Sequence, residues 1–352
     1  MDKKDLVLLD VKNLKADAAI INNEFNRYWY TDFYSSAGFV IIHETKSILL
    51  IDNRYFEAAK KKVKNCEVRL FKNYNDLSDI FKELNIKTLV VEEEYTTLEL
   101  LNKLQELGYK TVGTLSRKWR IVKDNKALKA LKKAAEIAAA SIEWIRKQKI
   151  IGKTEKEVAK MIAIHMLELG ATSNSFDLIV ATGKNGAVPH HSPDDTILES
   201  GNLVTVDIGC MYDHYASDIT RTFALGKKLK DKRLEVLYNT VLEANLKGIN
   251  AARANVTGEE VDKVCRDYID AFPEYKGYFT HSTGHGVGLE VHELPYVSPR
   301  AKNVLEVHEV CTVEPGIYIP GLGGARVEDT LIIQKNKPVV ITDLAKKNLY
   351  NE

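Results

Sequence analysis

The feature that most constrains this chain is a pair of carboxylates, Asp207 and Asp218, set into otherwise apolar strand-like sequence. In LVTVDIGCMYDHYASDITRTFA, Leu203 to Ala224, the residues Val204, Val206 and Ile208 alternate with Leu203, Thr205, Asp207 and Gly209, which is the period of a β-strand. Ser217, Ile219, Arg221 and Phe223 alternate in the same way with Ala216, Asp218, Thr220 and Thr222. A turn centred on Tyr212-Asp213 would put Asp207 directly opposite Asp218 on one face. Like charges so placed destabilise a sheet. A hard cation held between them is the simplest compensation; the plainer alternative is a pair of exposed surface acids.

The arrangement recurs further along. EVCTVEPGIYIPGLGGARVEDTLII, Glu309 to Ile333, carries Glu314 and Glu328 on the two arms of a reversal at Gly321 to Gly324. Between the two hairpins lies HSTGHGVGLEVHE, whose glycines disfavour a helix and favour extended, closely approached backbone. His281, His285 and His292 are therefore offered from loop and strand, and the His-Glu-x-x-His helix of zinc proteases is absent. Four acids and a central His point to a carboxylate-rich site for two metal ions. Thr154-x-x-Glu157 and Thr257-x-x-Glu260 are both capping boxes, about a hundred residues apart. Each opens a helix that leads to a His-containing loop and then to an acidic hairpin, the order expected of a diverged internal duplication.

Ahead of this region, residues 1–122 alternate strand-like and helix-like stretches. Ser36 to Asp52 is a hairpin turning near Glu44-Thr45-Lys46, Thr88 to Glu93 a short buried strand, and TTLELLNKLQELG a helix ending on Gly108. No dense polar constellation lies there. Lys123-Asp124-Asn125 breaks the pattern, and Leu128, Leu131, Ala135, Ala138, Ile142 and Ile145 then form one apolar helical stripe. The expected division is 1–122 and 123–352. Lys and Arg (50) nearly cancel Asp and Glu (49), so a nucleic acid has no basic surface to hold. No stretch approaches a membrane span or a signal peptide, which argues for no membrane partner. Cys66, Cys210, Cys265 and Cys311 lack paired spacing and read as buried reduced thiols, which places the protein in the cytoplasm.

VDIG, SDITRTFALG, STGHGVGLEVHE, VEPGIYIPG and GGARVEDT resemble, in order, the motif set of the M24 metallopeptidases, the methionine aminopeptidase/prolidase/creatinase family with the pita-bread fold. The first domain resembles the one that precedes the catalytic domain in prolidases and Xaa-Pro aminopeptidases. The fold class implied is an α/β N-terminal domain plus an α+β pseudo-symmetric pita-bread catalytic domain. By resemblance Asp207 chelates a first ion, Asp218 and Glu328 bridge two, and His285 and Glu314 complete the second. Glu314 also serves as general base, His190 contacts substrate, and His292 lies near the scissile carbonyl. His281 and Arg326 match positions of the proline-specific branch. His43, His165, His191, His214 and His308 match no functional position, and His165 shares a helix face with Val158, Ile162 and Leu169.

The activity implied is a dinuclear-metal exopeptidase, an Xaa-Pro aminopeptidase acting on peptides with proline second, with Xaa-Pro dipeptidase (prolidase) as the alternative. A methionine aminopeptidase is disfavoured by the extra N-terminal domain, and a metal-free binding protein by five intact ligand positions. Oxygen-rich ligation with one His suits Mn²⁺, with Zn²⁺, Co²⁺ and Fe²⁺ as alternatives. Tyr215, Phe279, Pro295, Tyr296 and Tyr318 are candidates to line a proline pocket. The family often forms homodimers, so a second copy is an expected partner.

Overall fold

The structure, a computed structural model, describes residues 2–350. The chain divides into two compact units, Met1–Arg120 and Ile121–Glu352. The first unit runs α1 (Lys3–Asn13), β1 (Ala18–Ile21), α2 (Glu24–Thr31), β2 (Phe39–His43), β3 (Ser47–Ile51) and α3 (Phe56–Lys62). It continues through β4 (Glu67–Leu70), α4 (Asn75–Glu83), β5 (Thr88–Glu92), α5 (Leu98–Glu106) and β6 (Lys110–Thr114). The six strands form one mixed sheet in the order β4-β3-β2-β1-β5-β6. The pairs β3–β4, β1–β5 and β5–β6 are parallel, and β1–β2 and β2–β3 are antiparallel; of these, β2 and β3 are joined by a short turn, which only antiparallel strands allow. The sequence of β1, AAII, is wholly buried, as a central strand between covered faces requires. Thr97 caps α5, and Gly108 follows that helix at φ +87°.

The second unit opens with α6 (Asn125–Ile145) and α7 (Glu155–Glu168), then β7 (Ser173–Asn174), β8 (Ile179–Thr182), β9 (Leu203–Ile208), β10 (Cys210–Tyr212), β11 (Tyr215–Ala216) and β12 (Ile219–Ala224). After α8 (Lys232–Ala251) and α9 (Gly258–Asp270) come β13 (Gly284–Gly286), β14 (Glu293–Val297), β15 (Val310–Val313), β16 (Gly316–Ile319), β17 (Gly323–Arg326), β18 (Asp329–Ile332) and β19 (Val339–Val340). All six residues of the α6 stripe are buried. Both capping boxes form, at Thr154–Glu157 and Thr257–Glu260. Both caps also make an isolated β-bridge, Thr154 to Ile197 and Thr257 to Val304. One hydrophobic cluster gathers α6, α7 and the β9–β12 hairpin; another gathers α8, α9 and the second hairpin. The duplication is thus visible as two helix-backed halves, and the α/β plus pseudo-symmetric α+β organisation is the one the chain adopts.

The first hairpin differs from expectation by one residue. The turn is Asp213-His214, both with positive φ (+47° and +68°), so Tyr212 pairs with Tyr215 and Asp207 pairs with Thr220. Two-residue hairpins favour this left-handed turn because its twist matches that of the strands. Asp218 lies two residues from Thr220 on the same face, so the two acids are diagonal neighbours and not opposed ones. In the second hairpin, Val313 pairs with Asp329 and Gly316 with Arg326, which carries Glu314 opposite Glu328 across the break between the two ladders. In both hairpins an acid sits where regular pairing is interrupted.

Candidate metal centre

The nine residues to which the resemblance gives metal or catalytic roles line one cleft of about 330 Å³: Asp207, Asp218, His285, Glu314 and Glu328, with His190, His281, His292 and Arg326. The ligand nitrogen of His285 is fixed locally. Its Nδ1 lies 3.1 Å from the Gly286 carbonyl, which can only accept, so Nδ1 carries a proton and Nε2 is the nitrogen turned to the acids, free to ligate an ion or, without one, to take a second proton. That Nε2 stands 3.3 Å from Glu314 and 3.5 Å from Asp218. The backbone carrying His285 lies so close to its neighbours that side chains at Gly284 and Gly286 would strike the carbonyls of Thr312 and Leu294 at 2.0 and 2.1 Å. Glycine is required there by space.

The electrostatics of the cleft call for a cation. Burial first, and then Glu328, Asp207 and Glu314, push the Asp218 carboxyl well above its ordinary value. Burial, with Glu314 and Asp207, does the same to Glu328. Burial also raises Asp207, against the pull of Arg326. At Glu314, burial is outweighed by the hydrogen bond and charge of His285, and its carboxyl is held at about 2. Among the described residues, Asp207 Oδ1 and Glu328 Oε1 are buried without a hydrogen-bond partner. One ligand atom each from Asp218, His285 and Glu328 fall within 4.8 Å of one another. Acceptor-only oxygens converging in low dielectric repel one another unless protons or cations intervene. The donor set fits divalent ions.

The remaining residues form a polar rim. Arg326 donates to Asp207 Oδ2 at 2.6 Å, to Tyr318 Oη at 2.7 Å, to Thr220 Oγ1 at 3.1 Å and to the Pro189 carbonyl at 3.3 Å. His281 Nδ1 donates to the Ser282 carbonyl, so its Nε2 accepts the Tyr318 hydroxyl proton at 2.8 Å. Burial lowers the pKa of His281, which agrees with a neutral ring in that role. The ring of His292 stands edge-on to His285, 4.3 Å between centroids.

A second trio, Glu155, His191 and Asp194, also has metal-like spacing. Glu155 already accepts from Thr182 N, Asn185 Nδ2, His191 Nε2 and Asp194 N, at 2.7, 3.1, 2.6 and 3.2 Å. It clamps the loop that carries His190. His165 is half-buried, stacked on Trp144 and bonded to Ser141. Cys66 is half-buried, where the sequence suggested burial; the other three cysteines are buried, and all four are free thiols.

Residues 129–335 match the model of Metallopeptidase family M24, and residues 8–122 that of the Creatinase/Prolidase N-terminal domain. The chain belongs to metallopeptidase family M24. An M24 relative from Mycoplasma pneumoniae, provisionally named as an Xaa-Pro aminopeptidase, is 44% identical over 92% of each chain. An Xaa-Pro dipeptidase of Pyrococcus horikoshii is 38% identical over 95% of this chain and 94% of its own. The solved structure of an Xaa-Pro dipeptidase from Bacillus anthracis superimposes with a TM-score of 0.95 at 38% identity, covering 99% and 98% of the two chains. The protein is therefore an M24 metallopeptidase with the pita-bread catalytic fold and a creatinase-type first domain, and its chemistry depends on divalent metal.

Within this M24 site, several contributors escaped the sequence reading. Thr220 donates to Glu328 at 2.7 Å, and Thr312 donates to Glu314 at 3.2 Å while accepting from the His285 N–H at 3.1 Å. Each lies two residues from an acid on its own strand, so the strand period that revealed the acids also marks these threonines. The apolar part of the cleft comes from Phe176, Ile179 and Pro189, and Tyr215, Phe279, Pro295, Tyr296 and Tyr318 are not among its lining. Tyr318 is instead held behind Arg326 by its hydroxyl.

Proposed function

We propose that this M24 metallopeptidase is an Xaa-Pro aminopeptidase that releases the N-terminal residue of peptides with proline second. The observation that carries the reading is the convergence of four carboxylates and His285 Nε2 on a cleft with an apolar wall. Asp207, Asp218, His285, Glu314 and Glu328 would hold two divalent ions. Oxygen-rich ligation with a single imidazole favours Mn²⁺. When bound, such ions supply Lewis acidity toward a carbonyl and a water acidic enough to act as nucleophile near neutral pH.

The chain's own residues then divide the remaining work. Glu314, ionised at neutral pH, accepts the proton of the attacking water and returns it to the leaving nitrogen. His292 and His190, which line the cleft, would donate to the developing oxyanion and to the substrate backbone. Arg326 fixes the carboxylate of Asp207, and Tyr318 and His281 fix Arg326. The nitrogen of an Xaa-Pro bond has no hydrogen to donate. Recognition of its ring therefore falls to apolar surface, which Phe176, Ile179 and Pro189 supply. Four free cysteines fit a reducing compartment, the cytoplasm.

Length preference separates two forms of the activity. A dipeptidase needs a cation for the C-terminal carboxylate, and Arg326, the one arginine or lysine among the described lining residues, is already engaged by Asp207. That supports the aminopeptidase. The Xaa-Pro dipeptidase reading is favoured by the names of the Pyrococcus and Bacillus relatives. Comparing kcat/KM on Ala-Pro and Ala-Pro-Ala-Ala decides between them, and the tetrapeptide is expected to be cut at its first bond. Cleavage of the dipeptide alone would make the enzyme a prolidase, and cleavage only of Met-Ala-Ser would remove the proline assignment.

A further inference from the structure

Glu314 and Glu328 sit where strand pairing is interrupted, between the β15–β18 and β16–β17 ladders. A different group bridges the two strands there. The carbonyls of Val313 and Val327, each immediately preceding one of the two glutamates, both accept from Nδ2 of Asn245 on α8, at 2.9 and 3.2 Å. A carboxamide nitrogen carries two hydrogens, so one fully buried side chain spans both strands. Its Oδ1 accepts from Lys347 Nζ at 3.0 Å, and only an amide oxygen can do so; the lysine therefore fixes which end of the amide meets the carbonyls.

Lys347 reaches the same place by a second route. Its Nζ lies 2.6 Å from Asp329 Oδ2, on the residue that follows Glu328. Asp329 Oδ1 accepts from Arg221 Nη2 at 2.7 Å and from Thr342 Oγ1 at 2.9 Å. Arg221 also donates to the Glu328 carbonyl. The C-terminal segment that brings Lys347 is tied down on both sides of it, where Arg146 donates to the Lys346 and Asn348 carbonyls at 3.2 and 2.7 Å, and at Lys347 itself, whose carbonyl accepts from Tyr238 Oη at 2.6 Å. Neither Asn245 nor Lys347 lines the cleft.

We propose that Asn245 and Lys347 are positioning residues that set the separation of Glu314 and Glu328, and through it the affinity of the centre for divalent ions. The inference rests on the metal-centre reading above. Ligands must be held to within about half an ångström for a metal site to keep its geometry. Loss of an outer partner typically costs 10–100-fold in metal affinity. In Lys347→Met the amide of Asn245 loses the partner that orients it, and in Asn245→Ala both strand carbonyls lose their common donor.

The test titrates metal-stripped full-length protein with Co²⁺ and Mn²⁺ by calorimetry, and records the visible absorption of the Co²⁺ form. Wild type, Asn245→Ala, Lys347→Met and Lys347→Arg are compared, with thermal melting as a control. Expected is a 10–100-fold weaker association and an altered Co²⁺ spectrum for Lys347→Met, partly restored in Lys347→Arg. Asn245→Ala is expected to show the same or a larger loss. If Asn245→Ala fails to fold, Lys347→Met decides alone. A variant that melts earlier but binds Co²⁺ with wild-type affinity and spectrum would overturn the proposal, since the residues would then only staple the fold. Wild-type protein that takes up no divalent ion would overturn the metal-centre reading itself, and this inference with it.

Discussion

At the scale of single residues, what surrounds a buried carboxyl decides what it does. Burial opposes ionisation of Asp329, but Arg221 and Lys347 outweigh it and hold the group at about 2. Glu309 is buried with little to offset the loss of water, and its carboxyl is pushed up to about 7. Among the described residues its Oε2 has no hydrogen-bond partner. The sign of the consequence follows from proton linkage. The folded chain holds this proton more tightly than the unfolded one, whose value is the ordinary 4.5. Stability from this group is therefore complete below the unfolded value and is lost as pH rises through about 7. Glu309→Gln is expected to stabilise the protein by about 3 kcal/mol at pH 8, with the gain shrinking to nothing near pH 4. Urea midpoints at both pH values check this, and a gain independent of pH would refute it. The acids of the cleft were legible in the sequence because a carboxylate on an apolar strand has few other reasons to exist. Asn245 was not, and Tyr318 was expected in a proline pocket and not behind Arg326, since a buried tyrosine or asparagine declares its partner only once distant strands are in register.

At the scale of elements, the helices and the hairpins announced themselves, and the register of the hairpin carrying Asp207 and Asp218 did not. The α6 stripe and the two capping boxes are local patterns, complete within a few residues, and the structure forms each of them. Strand register depends on the turn, and Asp213-His214 lacks the glycine that marks most left-handed turns. The reversal was accordingly placed one residue early. The face on which Asp207 and Asp218 meet survived the error, because each partner moved by two positions along its own side of the strand. The caps offer a quantitative check on the two-half organisation. Thr154→Ala and Thr257→Ala each remove a side-chain acceptor from the first turn of a helix and should each cost about 1 kcal/mol. The two helices belong to different hydrophobic clusters, so the double substitution should cost the sum to within about 0.5 kcal/mol. Denaturant unfolding of the three variants tests this; a double substitution no worse than either single one would mean that the halves do not carry separate stabilities.

At the scale of the whole molecule, the candidate centre is where the duplicated halves of the second unit meet. Asp207 and Asp218 come from the first half, and His285, Glu314 and Glu328 from the second. Four carboxylates gathered in a buried cleft oppose folding, and divalent ions that bind only the folded arrangement reverse that opposition by mass action. At a free concentration of about 1,000 times Kd, each ion adds about 4 kcal/mol. Metal-stripped protein should therefore melt well below the Mn²⁺-loaded form, with the difference lying in the unfolding of the second unit. Asp218→Asn gives the sharper contrast. It removes one of the carboxyls that its neighbours and burial force upward, so the stripped variant should be more stable than stripped wild type. It also removes a proposed metal ligand, so the variant should gain less from Mn²⁺ than wild type does, and the order of melting temperatures should invert on loading. Calorimetric scans of both proteins, with chelator and with saturating Mn²⁺, measure this directly. Equal gains from Mn²⁺ in the two proteins would show that Asp218 does not help hold the ions, and the carboxylates would then need another explanation for their place in the cleft.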